Sequence, residues 1–226
     1  MQCSLFGKLP ARRDFIALGA PREFLNAWEP WLQGAISSSR HDLGKNWQEA
    51  FLAAPIWRFW LGADVCGRTV IGAFMSSLDG VGRYFPLTLF ACADDNATIP
   101  PPELDPQDDW FNAAEEFLLS TLEPGASFED IVARIDKWST PHQESIQAAQ
   151  EPNVVPADQD FSEVFRSMRS QAHHKVFSGA TFWWTIGGDG FPPVAFCGKR
   201  MPDTHSFSAM LSGDFATAKP GEEAHG

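Results

Sequence analysis

The chain has 226 residues, 44% of them hydrophobic, with nine Trp and nineteen Phe against a single Tyr. A chain of this length buries about 70% of its unfolded surface and sustains a core without disulfides or metal. Its net charge of −12, from 29 acids and 17 bases, disfavours nucleic acid and anionic membrane as partners, because both require a basic patch. The scarcity of Tyr argues against a wet, paratope-like binding surface.

Cys3, Cys66, Cys92 and Cys197 stand far apart and form no C-x-x-C pair. No basic-then-apolar leader is read at the start, and no apolar run approaches the roughly 18 residues of a membrane span. A reduced, soluble, cytoplasmic protein is the expectation.

In chain order, Cys3 to Leu9 is a short apolar run ended by Pro10 and predicts a strand. From Pro21 the apolar positions Phe24, Leu25, Trp28, Trp31, Leu32, Ala35 and Ile36 recur at helical spacing. Pro30 falls within that pattern and predicts a kink or a restart. A further helix over Lys45 to Ala53 is stopped by Pro55. The period then changes. Ile56–Leu61, Thr69–Met75 and Phe85–Cys92 are strand-like runs separated by turn residues, which predicts an antiparallel meander. Arg58 interrupts the first of them and reads as a paired arginine at the core edge.

Residues 94–109 are acidic and proline-rich and read as an exposed loop. Two amphipathic helices follow. One presents Trp110, Phe111, Ala114, Phe117, Leu118 and Leu122. The other starts at Ser127 with Asp130 three residues on, a capping-box-like start, and presents Phe128, Ile131, Val132, Ile135 and Trp138. Ser139 to Gln159 reads as a polar loop, and Phe161, Val164, Phe165 and Met168 as a short helix. Strand-like runs return at Ala180–Ile186, Pro193–Cys197 and Ser206–Leu211, the first two joined by a Gly187–Gly190 turn. Strands at both ends with helices between them predict one α/β domain over residues 1–217, a sheet covered on both faces, followed by a polar tail over 218–226.

Several constellations invite chemistry and read better as structure. Gly62 to Thr69 has the spacing of a phosphate-binding loop, but Arg68 replaces its lysine and strands flank it on both sides, so a hairpin turn is expected. His173 and His174 are adjacent, which suits a solvated pair better than metal ligation. Asp108-Asp109 and Glu115-Glu116 read as charges on a solvated helix face. No G-x-S-x-G elbow is present. No cofactor is expected.

The segment Ser76-Ser77-Leu78-Asp79-Gly80-Val81-Gly82-Arg83-Tyr84-Phe85-Pro86-Leu87 is the most informative. Asp79-Gly80 suits a turn, Gly82 supplies backbone freedom, and Pro86 belongs at a strand edge or start. Asp79 and Arg83 are placed to pair across the turn, and Arg83 with Phe85 has the character of interface anchors. A hydrolase or phosphatase-like site near Asp79–Arg83 and a small-ligand sensor are the competing readings.

Ordered motifs carry a family resemblance over residues 5–92. Phe6-Gly7-Lys8-Leu9-Pro10, Asp14-Phe15, Trp28 with Trp31-Leu32, Ala54-Pro55-Ile56-Trp57-Arg58-Phe59, and the Ser76–Leu87 segment together resemble the TagF/ImpM family of type VI secretion accessory proteins. The resemblance implies a single three-layer α/β/α domain with a mainly antiparallel mixed sheet. It also implies a cytoplasmic, non-enzymatic regulator that restrains secretion after translation through the forkhead-associated scaffold of the apparatus. Gly7, Lys8, Pro10, Asp14, Phe15, Asp79, Gly82, Arg83 and Pro86 match its motif positions, and no catalytic residue carries over. Arg13 departs from the pattern, standing where the family has Gly. If that Gly has positive φ, Arg13 bears a conformational cost or the turn differs. The acidic surface predicts a basic patch on the partner and salt-sensitive association.

Overall fold

The computed structural model describes residues 3–146, 160–188 and 190–215. The expected 218–226 tail and residues 147–159 of the expected polar loop lie outside them. The aromatic runs form seven strands: β1 (Ser4–Gly7), β2 (Ile16–Leu18), β3 (Trp57–Leu61), β4 (Val70–Met75), β5 (Leu87–Cys92), and then, numbering past a small β6 (Ala97–Thr98) and β7 (Glu144–Ser145), β8 (Ala180–Thr185) and β9 (Val194–Lys199). They make one sheet of order β2-β1-β5-β4-β3-β8-β9, in which every pairing is antiparallel. The β3-β4-β5 meander is present as expected. β6 and β7 pair separately.

The helices are α1 (Arg22–Leu43), α2 (Trp47–Ala53), α3 (Ala63–Cys66), α4 (Asp108–Ser120), α5 (Phe128–Asp136), α6 (Phe161–Gln171), α7 (His173–Val176) and α8 (Ser206–Ser212). One face of the sheet is covered by α1, α2 and α8. There Trp28 packs on Phe24, Phe59 and Trp183 at ring-centroid distances of 5.3, 4.4 and 5.9 Å, all four residues being buried. The opposite face, with Leu5, Ile71, Ala73, Leu89 and Ala91, is covered by α4 and α5. Coverage on both sides explains why β4 is a continuous apolar run and β3 is apolar at every position but Arg58, both being buried throughout. β8 alternates between buried and half-buried positions.

The helix does not restart at Pro30: α1 runs unbroken through it. The proline is exposed, so water can satisfy the carbonyl that loses its partner, while Trp28, Trp31, Leu32 and Ala35 bury the other side. The run Ser206–Leu211 is a helix, contrary to the expected strand. Its decisive contacts are Phe207, Met210 and Leu211, an i, i+3, i+4 set buried against the aromatic layer, and the Met210 carbonyl accepts from Trp57 Nε1 at 3.0 Å. In so short a segment the two periods are hard to tell apart from composition.

Ser127 caps α5 as expected, accepting the Asp130 N–H at 3.1 Å. His173 is not solvated. It is 3% exposed, its Nδ1 lies 2.8 Å from the Ser170 carbonyl, and Glu144 stands nearby; only His174 is part-exposed. The Gly62–Thr69 connection joins two fully paired antiparallel strands and adds the single turn of α3. Carbonyls of Ala180 and Ser178 already occupy the Gly62 and Asp64 amides that a phosphate would need.

Candidate functional site

Between β4 and β5 the chain forms a tight hairpin. The Asp79 N–H donates to the Arg83 carbonyl at 3.1 Å, and the Phe85 N–H donates to the Ser77 carbonyl at 3.0 Å. The Asp79 carboxylate folds back into its own turn, where Oδ1 accepts the N–H groups of Val81 at 3.1 Å and Arg83 at 2.9 Å. This is an Asx-type local bond that Asp forms readily. Oδ2 accepts from Arg83 Nε at 2.6 Å and from Lys8 Nζ, just beyond β1, at 3.0 Å. Asp79 is 0% exposed.

The β1–β2 loop is stitched to the hairpin tip by two more bonds. Arg83 Nη2 donates to the Arg13 carbonyl at 2.6 Å, and the Gly80 N–H donates to the Arg12 carbonyl at 2.7 Å. Below them the rings of Phe6, Phe15 and Phe85 meet edge to face, with centroids 4.9, 4.8 and 6.3 Å apart. Gly7 closes β1 at φ +132, and a Cβ there would stand 2.0 Å from the Pro86 carbonyl oxygen, so only glycine fits. Gly82 has φ +81 with open space around it.

The structure therefore gathers Gly7, Lys8, Phe15, Asp79, Gly82, Arg83, Phe85 and Pro86 into one unit. Pro10 borders it, its carbonyl oxygen 3.1 Å from where a Gly80 Cβ would lie. Asp14 is exposed and, among the described residues, has no hydrogen-bond or ion-pair partner. Arg13 does not adopt positive φ, so the cost anticipated at that position does not arise. Its contribution is a backbone carbonyl, which no residue-type pattern reveals.

Electrostatically the unit is closed. Burial alone would raise the Asp79 pKa, but the Arg83 N–H, the Lys8 ammonium, the Arg83 guanidinium and the Val81 N–H together hold it well below the usual carboxylate range. The carboxylate stays charged with its lone pairs engaged, which is a poor arrangement for a general base. Elsewhere, burial pushes the Cys3, Cys66 and Cys92 thiols up to about 12, so these are not thiolate nucleophiles at neutral pH. His205, Asp42 and Ser208 meet at the surface, but Ser208 Oγ donates to Asp42 Oδ2 at 2.7 Å, not to His205, whose Nδ1 lies 2.9 Å from that same oxygen. That is not a nucleophile–base–orienter sequence. A cavity of about 1140 Å³ opens between α4, α5 and residues 138–142, lined in part by Trp110, Trp138 and the Asp105–His142 pair, and by none of residues 76–87.

The profile of the TagF N-terminal domain, described as type VI secretion system-associated, matches residues 4–138, more than half of the chain. The chain belongs to that family. The matched stretch contains both arms of the Lys8–Asp79–Arg83 unit. It stops short of β8, β9 and α8, although β8 pairs with β3 along four residues and α8 packs on α1. The crystal structure of PA0076 from Pseudomonas aeruginosa PAO1 is similar, with a TM-score of 0.79 and 29% identity over 94% of each chain. No curated protein matches. Membership places the chain among proteins involved in type VI secretion. Among the described residues no helix is long and apolar enough to cross a membrane.

Proposed function

We propose that this chain is a non-enzymatic, cytoplasmic negative regulator of type VI secretion that acts after translation by binding the forkhead-associated scaffold of the apparatus. The observation that carries the reading is the closed state of the Asp79 carboxylate. The family's motif residues converge on a group with no free valence for catalysis, and they use it to hold a surface that presents Val81, Arg83 and Phe15. Repression would be sequestration, since a scaffold held by this chain is unavailable for assembly. Micromolar affinity, about 8 kcal/mol, suffices at matching cellular levels.

Calorimetric titration with the purified scaffold tests this, using wild type and Arg83→Ala after equal melting is verified. Saturable heat in wild type, weakened in the variant, is the expected result. Absence of binding removes the sequestration model.

The cavity between α4 and α5 favours a second reading, a small-ligand sensor that controls the same interaction. A concentration-dependent rise in melting temperature with a nucleotide or metabolite, abolished by Trp138→Ala, is its signature.

A further inference from the structure

Arg12, Arg13 and Arg83 form a cationic surface on a chain whose net charge is −12. Their proximity follows from the backbone: Arg83 Nη2 rests on the carbonyl of Arg13, and Gly80 donates to that of Arg12. Lys8 lies behind them on Asp79. The carboxylate of Asp79 is consumed by Lys8 and Arg83 together, leaving one positive charge in excess there. Arg12 and Arg13 are exposed and, among the described residues, hold no carboxylate; Arg12 lies over the Phe128 ring, 4.0 Å from its centroid. Asp14 and Glu129, exposed acids adjacent in the chain to Arg13 and Phe128, make no ion pair with these arginines. Apolar surface lies alongside, with Val81 at the hairpin tip 55% exposed and Phe15 42% exposed.

We propose that this face receives an acidic segment of a protein partner, carrying at least one apolar side chain that packs on Val81 and Phe15. The proposal rests on the reading that the Asp79 end is the partner surface, but not on which protein the partner is. It reverses the charge relation expected from composition, in which the partner supplies the basic patch. Overall charge governs encounter at long range, whereas contact is decided within about 8 Å, the screening length at physiological salt. At the motif end Lys8, Arg12, Arg13 and Arg83 stand against Asp79, Asp14 and Glu129, so the balance there is positive although the chain as a whole is acidic. An extended polyanion such as duplex nucleic acid would run beyond the patch across the acidic remainder of the surface, while a short acidic segment stays within it. Arginine beside exposed apolar groups on a rigid turn is the composition of an interface anchor.

The test uses the full chain, isotope-labelled for amide shifts, with three probes: a decapeptide of nine glutamates and one phenylalanine, the corresponding lysine peptide, and a short DNA duplex. The acidic peptide is expected to move the amides of residues 12–15 and 80–83 saturably. That response should weaken roughly tenfold in Arg12→Glu/Arg13→Glu, which retains both backbone carbonyls. Arg12→Gln/Arg13→Gln serves if the charge reversal impairs melting. Shifts elsewhere, none at all, an unchanged response in the folded variant, or tighter binding of the lysine peptide or duplex would each overturn the proposal. Scaffold titration separates the two readings. A scaffold that binds the double variant as tightly as wild type leaves sequestration standing and rejects the scaffold as occupant of this face, and the peptide response alone then upholds or overturns the surface. Peptide binding at the patch without scaffold binding supports the surface and rejects the scaffold as its partner.

Discussion

Asp79 and Arg58 are both buried charges, 0% and 2% exposed, and they are satisfied from different distances along the chain. Two of the four groups on Asp79 are amides of its own turn, a third is the side chain four residues on, and only Lys8 comes from afar. Arg58 is met wholly by side chains of α4: Glu115 Oε1 at 2.6 Å from Nε, Asn112 Oδ1 at 2.9 Å from Nη2, and Asp108 at 3.8 Å, with the Phe111 ring nearby. The first arrangement shapes a loop and its surface. The second fastens a helix to the sheet. A charge met by local amides shapes its own segment, whereas a charge met by distant side chains acts only once the fold exists.

Gly7→Ala attacks the Asp79 side hardest, because its Cβ would collide with the Pro86 carbonyl at 2.0 Å and displace β1 from β5. A loss of about 4 kcal/mol is expected in denaturant unfolding, with little folded protein recovered.

Asp79→Asn keeps the volume but sets an amide against two cations and two N–H donors. Its melting temperature should fall by on the order of 8 °C. The folded-state pKa of Asp79 is depressed, so its stabilisation is fully present above the unfolded carboxylate value of about 3.9 and is lost as pH falls below that value toward and through the folded one. The gap between wild type and Asp79→Asn should therefore narrow on acidification from about pH 5 to about pH 3. A gap independent of pH would show that the charge is not the source of stability.

Arg58→Met should cost about 2 kcal/mol, because Glu115 is left without its cation but lies close enough to water to recover hydration. Glu115→Gln added to Arg58→Met should recover part of that loss. Additive losses would show that Arg58 acts through packing alone. Arg83→Ala should shift melting by only about 2 °C, since its side chain is 62% exposed, while weakening partner binding. A large melting loss would make Arg83 structural and remove it from the docking surface.

The difference between these charges is also a difference in what residue order makes visible. Asp79, Gly80, Gly82 and Arg83 lie within five positions, so the turn and its internal pair can be read directly. The capped start of α5 at Ser127 and the β3-β4-β5 meander are legible for the same reason, because each depends on bonds between near neighbours. In residue order the Arg58 partners are no more than polar positions of an amphipathic helix, where Glu115 reads as a charge on a solvated face. Asp108, Asn112 and Glu115 do fall at i, i+4 and i+7, one face of α4, but nothing in their spacing says that an arginine 50 residues earlier will lie beneath them.

Residue order thus specified the local bonds: turns, caps, helix periods and the demand for glycine at tight positions, all set by steric and hydrogen-bonding terms between near neighbours. The sheet order, with β8 joining β3 across more than a hundred residues, rests on tertiary packing, in which Trp28 of α1, Phe59 of β3 and Trp183 of β8 meet in one aromatic layer. Packing against the same aromatic layer made Ser206–Ser212 a helix, whereas His173 is buried beside the Ser170 carbonyl and Glu144. The pairing of β1 with β5 and the loop bond from Gly80 to Arg12 bring Lys8 and the carbonyl of Arg13 to the Asp79–Arg83 turn. Burial and long-range pairing depend on which surfaces remain to be covered, and that is a property of the assembled fold.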